Sequence, residues 1–337
     1  MTTRAQAKID VRTYRDEDEP GVLELLEASL GGGPGGGRTH DFFAWKHLDN
    51  PFGRSFMLVA TKDGRVVGLR AFMRWAFTAA GNEVPAVRAV DTATHPDHQG
   101  LGIFTTLTTA ALEQLAEEAA FVFNTPNDKS RPGYLKMGWR VTGELPISVK
   151  VRRPVRFAGR IRGLRETTSN TGAGPVVDAP RFSELALTDD ELEALLRSTR
   201  GADDRLTTEH TAASLRWRYG QSPHLDYRAV GGANGLVIFR VRSRGSLWET
   251  TVAEVLVGER DSAAARSLLR DAARAADVDH MTCLLPSGSA ALKGARRAGF
   301  VRSPIGMTLT ARPLQSSSPD PLEMRSWALS LGDVEVF

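Results

Sequence analysis

The 337-residue sequence predicts a mixed α/β protein built as two domains of one design in tandem. Three observations carry that expectation. Stretches that alternate apolar and polar residues, as half-buried strands do, are interleaved with stretches of helical spacing. A helical run from Gly102 to Ala119 separates two strand-like runs, the order of a βαβ unit. Short matches between the halves recur in one order at an offset of 161 to 172 residues, which argues for duplication. The length agrees, since domains run to about 150 residues.

Ile9 to Tyr14 alternates and predicts a strand. Asp16, Asp18 and Pro20 then open a helix with Val22, Leu23, Leu25 and Leu26 on its apolar side and Leu30 at its end. Gly31 to Gly37, GGGPGGG, predicts a loop. Phe56 to Ala60 and Arg65 to Phe77 flank Lys62-Asp63-Gly64 as a hairpin. Pro85 to Thr94 is the next strand, followed by the Gly102 to Ala119 helix and the short strand Phe121 to Asn124. A helical turn over Ser130 to Met137 and a strand over Ile147 to Arg153 complete the first half.

In the second half, Trp217-Arg218-Tyr219 with Pro223 matches Trp45-Lys46-His47 with Pro51. A hairpin over Tyr227 to Arg242, a strand over Thr251 to Val257, a helix over Ser262 to Ala276 and a strand over Met281 to Leu285 follow in the same order. Gly299-Phe300 answers Gly138-Trp139. Each half closes with a strand between Pro-Ile and Arg-Pro, Pro146-Ile147 to Arg153-Pro154 and Pro304-Ile305 to Arg312-Pro313. The expected organisation is a domain over 1–153, a basic segment and linker over 154–180, a second domain over 181–313 and a tail over 314–337. Trp327 to Phe337 reads as a strand.

Composition narrows the class. Hydrophobic residues are 41% and charged residues 25%, ordinary for a globular protein, with a formal charge of +3 and a pI near 9.2. That excludes a disordered chain, a fibrous repeat and a disulfide scaffold. No apolar run approaches a membrane span, and the N-terminus has no signal-peptide core. The single cysteine, Cys283, cannot make an internal disulfide, which fits an expected reducing, cytoplasmic location; within its apolar run, Met281 to Leu285, it reads as a small buried hydrophobe. Arg152, Arg153, Arg156, Arg160, Arg162 and Arg165 cluster without an acid, as a solvated face or an anionic docking patch. Only Phe157 could stack on a base beside them, which disfavours a nucleic-acid partner.

The chemistry concentrates in His95-Pro96-Asp97-His98-Gln99-Gly100-Leu101-Gly102-Ile103-Phe104-Thr105, between a strand and a helix. Its glycines leave backbone N–H groups free to face one concavity, and the following helix adds its unpaired N-terminal donors. Such a bend suits a phosphate or pyrophosphate; the bland alternative is a plain tight turn. There is no G-x-G-x-x-G dinucleotide fingerprint and no Gly-Lys-Ser/Thr of a P-loop. His95 and His98 lack a third ligand at zinc-like spacing, so no metal is expected.

Ala93-Thr94-His95-Pro96-Asp97-His98-Gln99-Gly100-Leu101-Gly102 resembles the Gln/Arg-x-x-Gly-x-Gly/Ala motif of the GNAT superfamily of acyl-CoA-dependent N-acetyltransferases. Gln99 takes the Gln/Arg position and Gly102 the central glycine, while Phe104 replaces the final small residue. Tyr134-Leu135-Lys136-Met137-Gly138-Trp139 resembles the second signature, Tyr-x-x-x-Gly-Phe/Trp. The likeness spans about 145 residues of the first half.

The resemblance implies acetyl-CoA as cosubstrate and transfer of its acetyl group to a primary amine, on a small molecule, by direct attack in a ternary complex. It implies that the strands ending near Thr94 and Asn124 splay, with pantetheine pairing to backbone of Asp91 to Thr94, Ala93 among them. Amides of Gln99, Gly100, Leu101, Gly102, Ile103, Phe104 and Thr105 would cradle the pyrophosphate, and Asn124 and Asn127 would contact the cofactor arm. Tyr134 becomes the proton donor to the departing thiolate. Asp91, among small and apolar neighbours on the central strand, is the first candidate base, with Glu83, His47 or a base acting through water as alternatives, and an ordinary hydrogen-bonded or ion-paired role as its plain reading.

The second half reads Val257-Gly258-Glu259-Arg260-Asp261-Ser262 where the phosphate bend belongs, and Ala295 where the tyrosine belongs. A degenerate copy that supports the first domain is expected. The competing functions are a non-catalytic acyl-CoA-binding module and an acetyltransferase acting on a protein lysine or N-terminus. The chain is expected as a monomer or homodimer.

Overall fold

The computed structural model describes residues 9–32, 37–160, 174–199 and 204–334. The first half runs β1 (Asp10–Thr13), α1 (Glu19–Leu30), α2 (His40–His47), β2 (Phe56–Lys62), β3 (Arg65–Ala79), β4 (Asn82–Thr94), α3 (Ile103–Leu115), β5 (Phe121–Asn124), α4 (Arg131–Lys136), β6 (Arg140–Leu145) and β7 (Ser148–Val151). Each has a local cause. Pro20 sits in the first turn of α1, where its missing N–H is no loss, and Val22, Leu25 and Leu26 are the buried stripe. Asp63 and Gly64 both take positive φ, the tight hairpin turn that matches strand twist. Gly68 lets α3 press on β3, since a Cβ there would lie 2.5 Å from Ile103 Cγ2.

The second half runs α5 (Pro154–Arg160), α6 (Asp189–Thr199), β8 (Thr207–Thr208), α7 (Ala212–Leu215), β9 (Tyr227–Gly232), β10 (Gly235–Arg244), β11 (Leu247–Leu256), α8 (Ser262–Arg274), β12 (His280–Cys283), α9 (Ala290–Arg297), β13 (Val301–Arg302), β14 (Met307–Pro313) and α10 (Leu331–Val334). The fold is thus the mixed α/β architecture expected, in two mixed sheets.

The sheets do not follow the expected boundary between halves. The first has the order β1-β2-β3-β4-β5-β14-β6, with β8 on β3, and the second the order β13-β7-β12-β11-β10-β9. β14 crosses from the second half to lie between β5 and β6, with Ala311 opposite Phe123 and Leu309 opposite Gly143. β7 crosses the other way, pairing Thr282 with Val149 and Val301 with Val149. The two closing strands exchange sheets. Among the described residues each sheet has one parallel neighbour pair, β4–β5 or β11–β12, which brackets a helix, α3 or α8.

One apolar core joins the halves, with Phe77, Phe121 and Phe123 packed against Trp217, Leu284, Leu309 and Trp327. Among the described residues the tail is not a strand. It runs as turns into α10, held by Arg88 Nη2 donating to Val334 O at 2.6 Å, Arg88 Nη1 donating to Asp333 O, and Arg218 Nη2 donating to Gly332 O at 3.2 Å. Gly332 has no room for a side chain, because a Cβ would fall 2.0 Å from Tyr219 Oη. Of the arginine run, Arg153 pairs with Asp277, and Arg156 with Asp279 at 3.2 Å; Arg162, Arg165 and most of the linker lie outside the described residues. So do residues 33–36 of the glycine-rich loop. Among the described residues no helix is long and apolar enough to cross a membrane.

Candidate active site

The bend after β4 is open. Gly100 (φ 78°) and Gly102 (φ 76°) take left-handed conformations, and a Cβ at either would meet nothing within 4 Å. Among the described residues no side chain caps the N-terminus of α3, whereas Thr39 caps α2, Asp261 caps α8 and Ser289 caps α9. The first N–H groups of α3 and its positive dipole end are therefore left for a ligand. Beside them lies a cavity of about 440 Å³ lined by Thr92, Ala93, Thr94, Gln99, Gly100, Gly102, Ile103 and Phe104, with Ser29, Leu30 and His98. Leu101 is exposed and Thr105 faces solvent on the first turn of α3.

The cavity follows an opened strand edge. β4 pairs with β5 only from Ala86–Phe121 to Arg88–Phe123, while its pairing with β3 continues to Thr94. Between Val90 and Thr92 the register slips, leaving Asp91 as the extra residue of a β-bulge with φ 29°. A bulge unpairs one residue's backbone and re-aims its neighbours, and it recurs beside active sites.

Tyr134 is buried on α4 against Phe104 and Trp139, with ring centroids 5.8 and 5.2 Å away. Its hydroxyl oxygen accepts from Arg70 Nη1 at 3.1 Å. Arg70 also donates to Thr92 Oγ1 on the cavity wall.

Asp91 is an ion-paired carboxylate. Lys46 Nζ lies 2.7 Å and His47 Nε2 2.8 Å from its Oδ2, and Arg38 Nη1 4.0 Å from its Oδ1. Burial alone would raise its proton affinity, but the charges of Lys46 and His47 overcome this and hold the carboxyl well below the usual range. Burial pulls the Lys46 ammonium and the His47 imidazole below their ordinary values, against the pull of Asp91. His47 Nδ1 meets Ser55 Oγ at 2.9 Å. Glu83 sits at the other end of β4, about 26 Å along the strand by its rise per residue, away from this cluster.

The two asparagines have structural partners. Asn124 Oδ1 accepts from Thr310 Oγ1 of the exchanged strand at 2.5 Å. Asn127 Oδ1 accepts from the N–H groups of Lys129 and Ser130 at 3.1 and 2.9 Å, a turn that leads into α4. Arg70, Lys46 and Arg38 join the site without belonging to either sequence motif. Arg70 had a signal: a single cation inside the apolar run Val66 to Met73 of a strand.

The second sheet offers a different cleft. A cavity of about 990 Å³ opens where β11 and β12 diverge, lined by Glu254, Glu259, Arg260, Ser287 and Asp333 among others. At the N-terminus of α8, Asp261 itself accepts from Ala264 N at 2.8 Å. A carboxylate already occupies the place a phosphate would take.

Comparison with known proteins agrees with this geometry. Residues 10–142 match the family model described as an acetyltransferase (GNAT) domain. The fold resembles a GCN5-related N-acetyltransferase from Kribbella flavida, at 14% identity over 93% of this chain and 72% of that one, with a TM-score of 0.60. It also resembles a GCN5-related N-acetyltransferase from Anabaena variabilis (13% identity, 91% and 73% covered, TM-score 0.60) and Eis1 from Mycobacterium abscessus (16%, 91% and 74%, 0.55). Such identities speak for the fold alone. No protein of curated function matches by sequence. Residues 10–142 are thus similar to a GNAT acetyltransferase domain, carried in a chain of two sheets.

Proposed function

We propose that this domain binds acetyl-CoA and acetylates a primary amine on a small molecule by direct attack in a ternary complex. The observation that carries the reading is the uncapped N-terminus of α3, facing a glycine bend beside a cavity that reaches Thr92 to Thr94. Amides from Gln99 to Thr105 suit a diphosphate. The unpaired edge of β4 from Asp91 to Thr94 suits the amide-bearing pantetheine arm, which can add to it as a strand would.

Holding amine and thioester together supplies up to about 7–11 kcal/mol of the barrier. A backbone N–H freed at the Asp91 bulge can polarise the thioester carbonyl. Tyr134 gives a proton to the departing sulfur. Asp91 stays ionised beside Lys46 and His47, so it accepts a proton poorly near neutrality. We assign it to aligning that cluster, and the proton of the incoming ammonium to water.

We further propose that residues 181–313 descend from a copy of 1–153 that lost cofactor binding, joined through 154–180 and followed by a tail from 314. Support comes from the βαβ unit and strand bulge common to both sheets, and from Asp261 at the second helix. An amine panel with thiol detection tests the activity. Release of CoA with at least one amine, reduced about 100-fold in Tyr134→Phe, is expected. Acetyl-CoA binding without turnover would favour a regulatory module instead.

A further inference from the structure

Arg70 is fully buried, yet among the described residues no carboxylate lies within 4 Å of it, and its Nε and Nη2 have no hydrogen-bond partner. Its guanidinium carbon lies 4.3 Å from the Phe72 ring centroid and 5.3 Å from that of Tyr134. Aromatic faces attract a cation, but they replace only part of the hydration an arginine gives up on burial. A buried charge without a counter-ion is costly, and this one adjoins the hydroxyl proposed to yield a proton.

We infer that Arg70 is the positioning residue for Tyr134, an inference that rests on the transferase reading above. A guanidinium has only donors. When Arg70 Nη1 donates to Tyr134 Oη, the hydroxyl hydrogen must point elsewhere, and Thr92, the other partner of that nitrogen, marks the direction of the cavity. The same contact acts during the reaction. As the amine nitrogen bonds to the carbonyl carbon, the C–S bond breaks and sulfur takes the electron pair. The Tyr134 proton goes to that sulfur and leaves a phenolate, whose charge Arg70 meets at once. The amine's surplus proton passes to water, and a solvent proton restores Tyr134. Arg70 is thus the missing half of an ion pair completed only in the transition state, where stabilisation raises the rate.

The test separates proton delivery from packing. Thiol release is measured with acetyl-CoA and with an aryl thioacetate, whose acidic thiol leaves without a proton. The acceptor is the fastest amine of the panel or, if none reacts, water. Arg70→Gln should lower kcat with acetyl-CoA about 30-fold or more and with the aryl donor less than threefold. Tyr134→Phe should show the same contrast, and the double variant should be no worse than Tyr134→Phe alone. Arg70→Lys, which keeps the charge, should recover part of the loss and carries the comparison if the glutamine variant fails to fold.

Equal losses with both donors, or no loss, in Arg70→Gln while Tyr134→Phe keeps its contrast would overturn the role of Arg70 alone. Loss of the contrast in Tyr134→Phe, or no thiol release with any acceptor, would instead overturn the reading on which it rests.

Discussion

Trp45 and Trp217 donate their indole N–H groups to each other's backbone carbonyls, both at 2.7 Å, with their rings stacked at 5.2 Å between centroids. The pair fastens α2 of the first half to the turn after α7 of the second. Trp217→Phe removes one donor and leaves a buried carbonyl unpaired. A loss of about 1–3 kcal/mol in urea unfolding is expected. Trp45→Phe and Trp217→Phe should combine non-additively in a double-mutant cycle, because each depends on the other's backbone position.

Gly102→Ala meets open space but must hold φ at 76°, which costs an L-residue about 1–2 kcal/mol. If the bend cradles a diphosphate, the substitution should weaken acetyl-CoA binding about tenfold by calorimetry, with Tm falling only slightly. Unchanged affinity would place the diphosphate elsewhere.

Asp91→Asn leaves Lys46 buried without its carboxylate at 2.7 Å. Breaking a buried pair in this way costs about 3–5 kcal/mol, read from urea unfolding at neutral pH. Because the folded carboxyl titrates below its unfolded value, its contribution is complete above the usual carboxylate range and disappears as pH falls through the lowered folded value. The difference between wild type and variant should therefore shrink only in strong acid.

Glu254 behaves oppositely. Burial, with Asp333 close by, raises its carboxyl from 4.5 to about 7. Its protonated form is the one the fold favours, so its contribution is complete below 4.5 and is lost as pH rises through about 7. Glu254→Gln retains an acceptor for Tyr219 and Ser330. Subtracting its stability-versus-pH curve from the wild-type curve should give a difference that falls over that window and then levels off.

Gly332→Ala would drive a methyl into Tyr219 and Glu254. Displacement of α10 is the expected result, seen as faster amide exchange at Leu331 to Val334 while the sheets stay protected.

Local pattern made much of this fold legible. The hairpin at Asp63-Gly64, the glycine bend and the matched tryptophans all stand on short-range signals. Strand partnership does not. β7 and β14 carry the same flanking Pro-Ile and Arg-Pro, and alternation says which face is buried but not which sheet receives the strand. β6 leaves little trace in the sequence because Gly143 weakens the strand signal of Arg140 to Leu145. Asp91 looked isolated because Lys46 and His47 lie more than forty residues away in sequence. Arg70 could have been singled out, since a lone cation in an apolar strand asks for a reason.

The swap of β7 and β14 bears on synthesis. A ribosome adds about 5–20 residues per second, and a leading domain often folds before the rest emerges. Here the seat between β5 and β6 waits for Met307 to Pro313, made long after both of its neighbours. Until then the nascent first sheet has a gap with bare hydrogen-bonding edges, where a strand from another copy could enter, so order of arrival becomes part of how this protein reaches its shape.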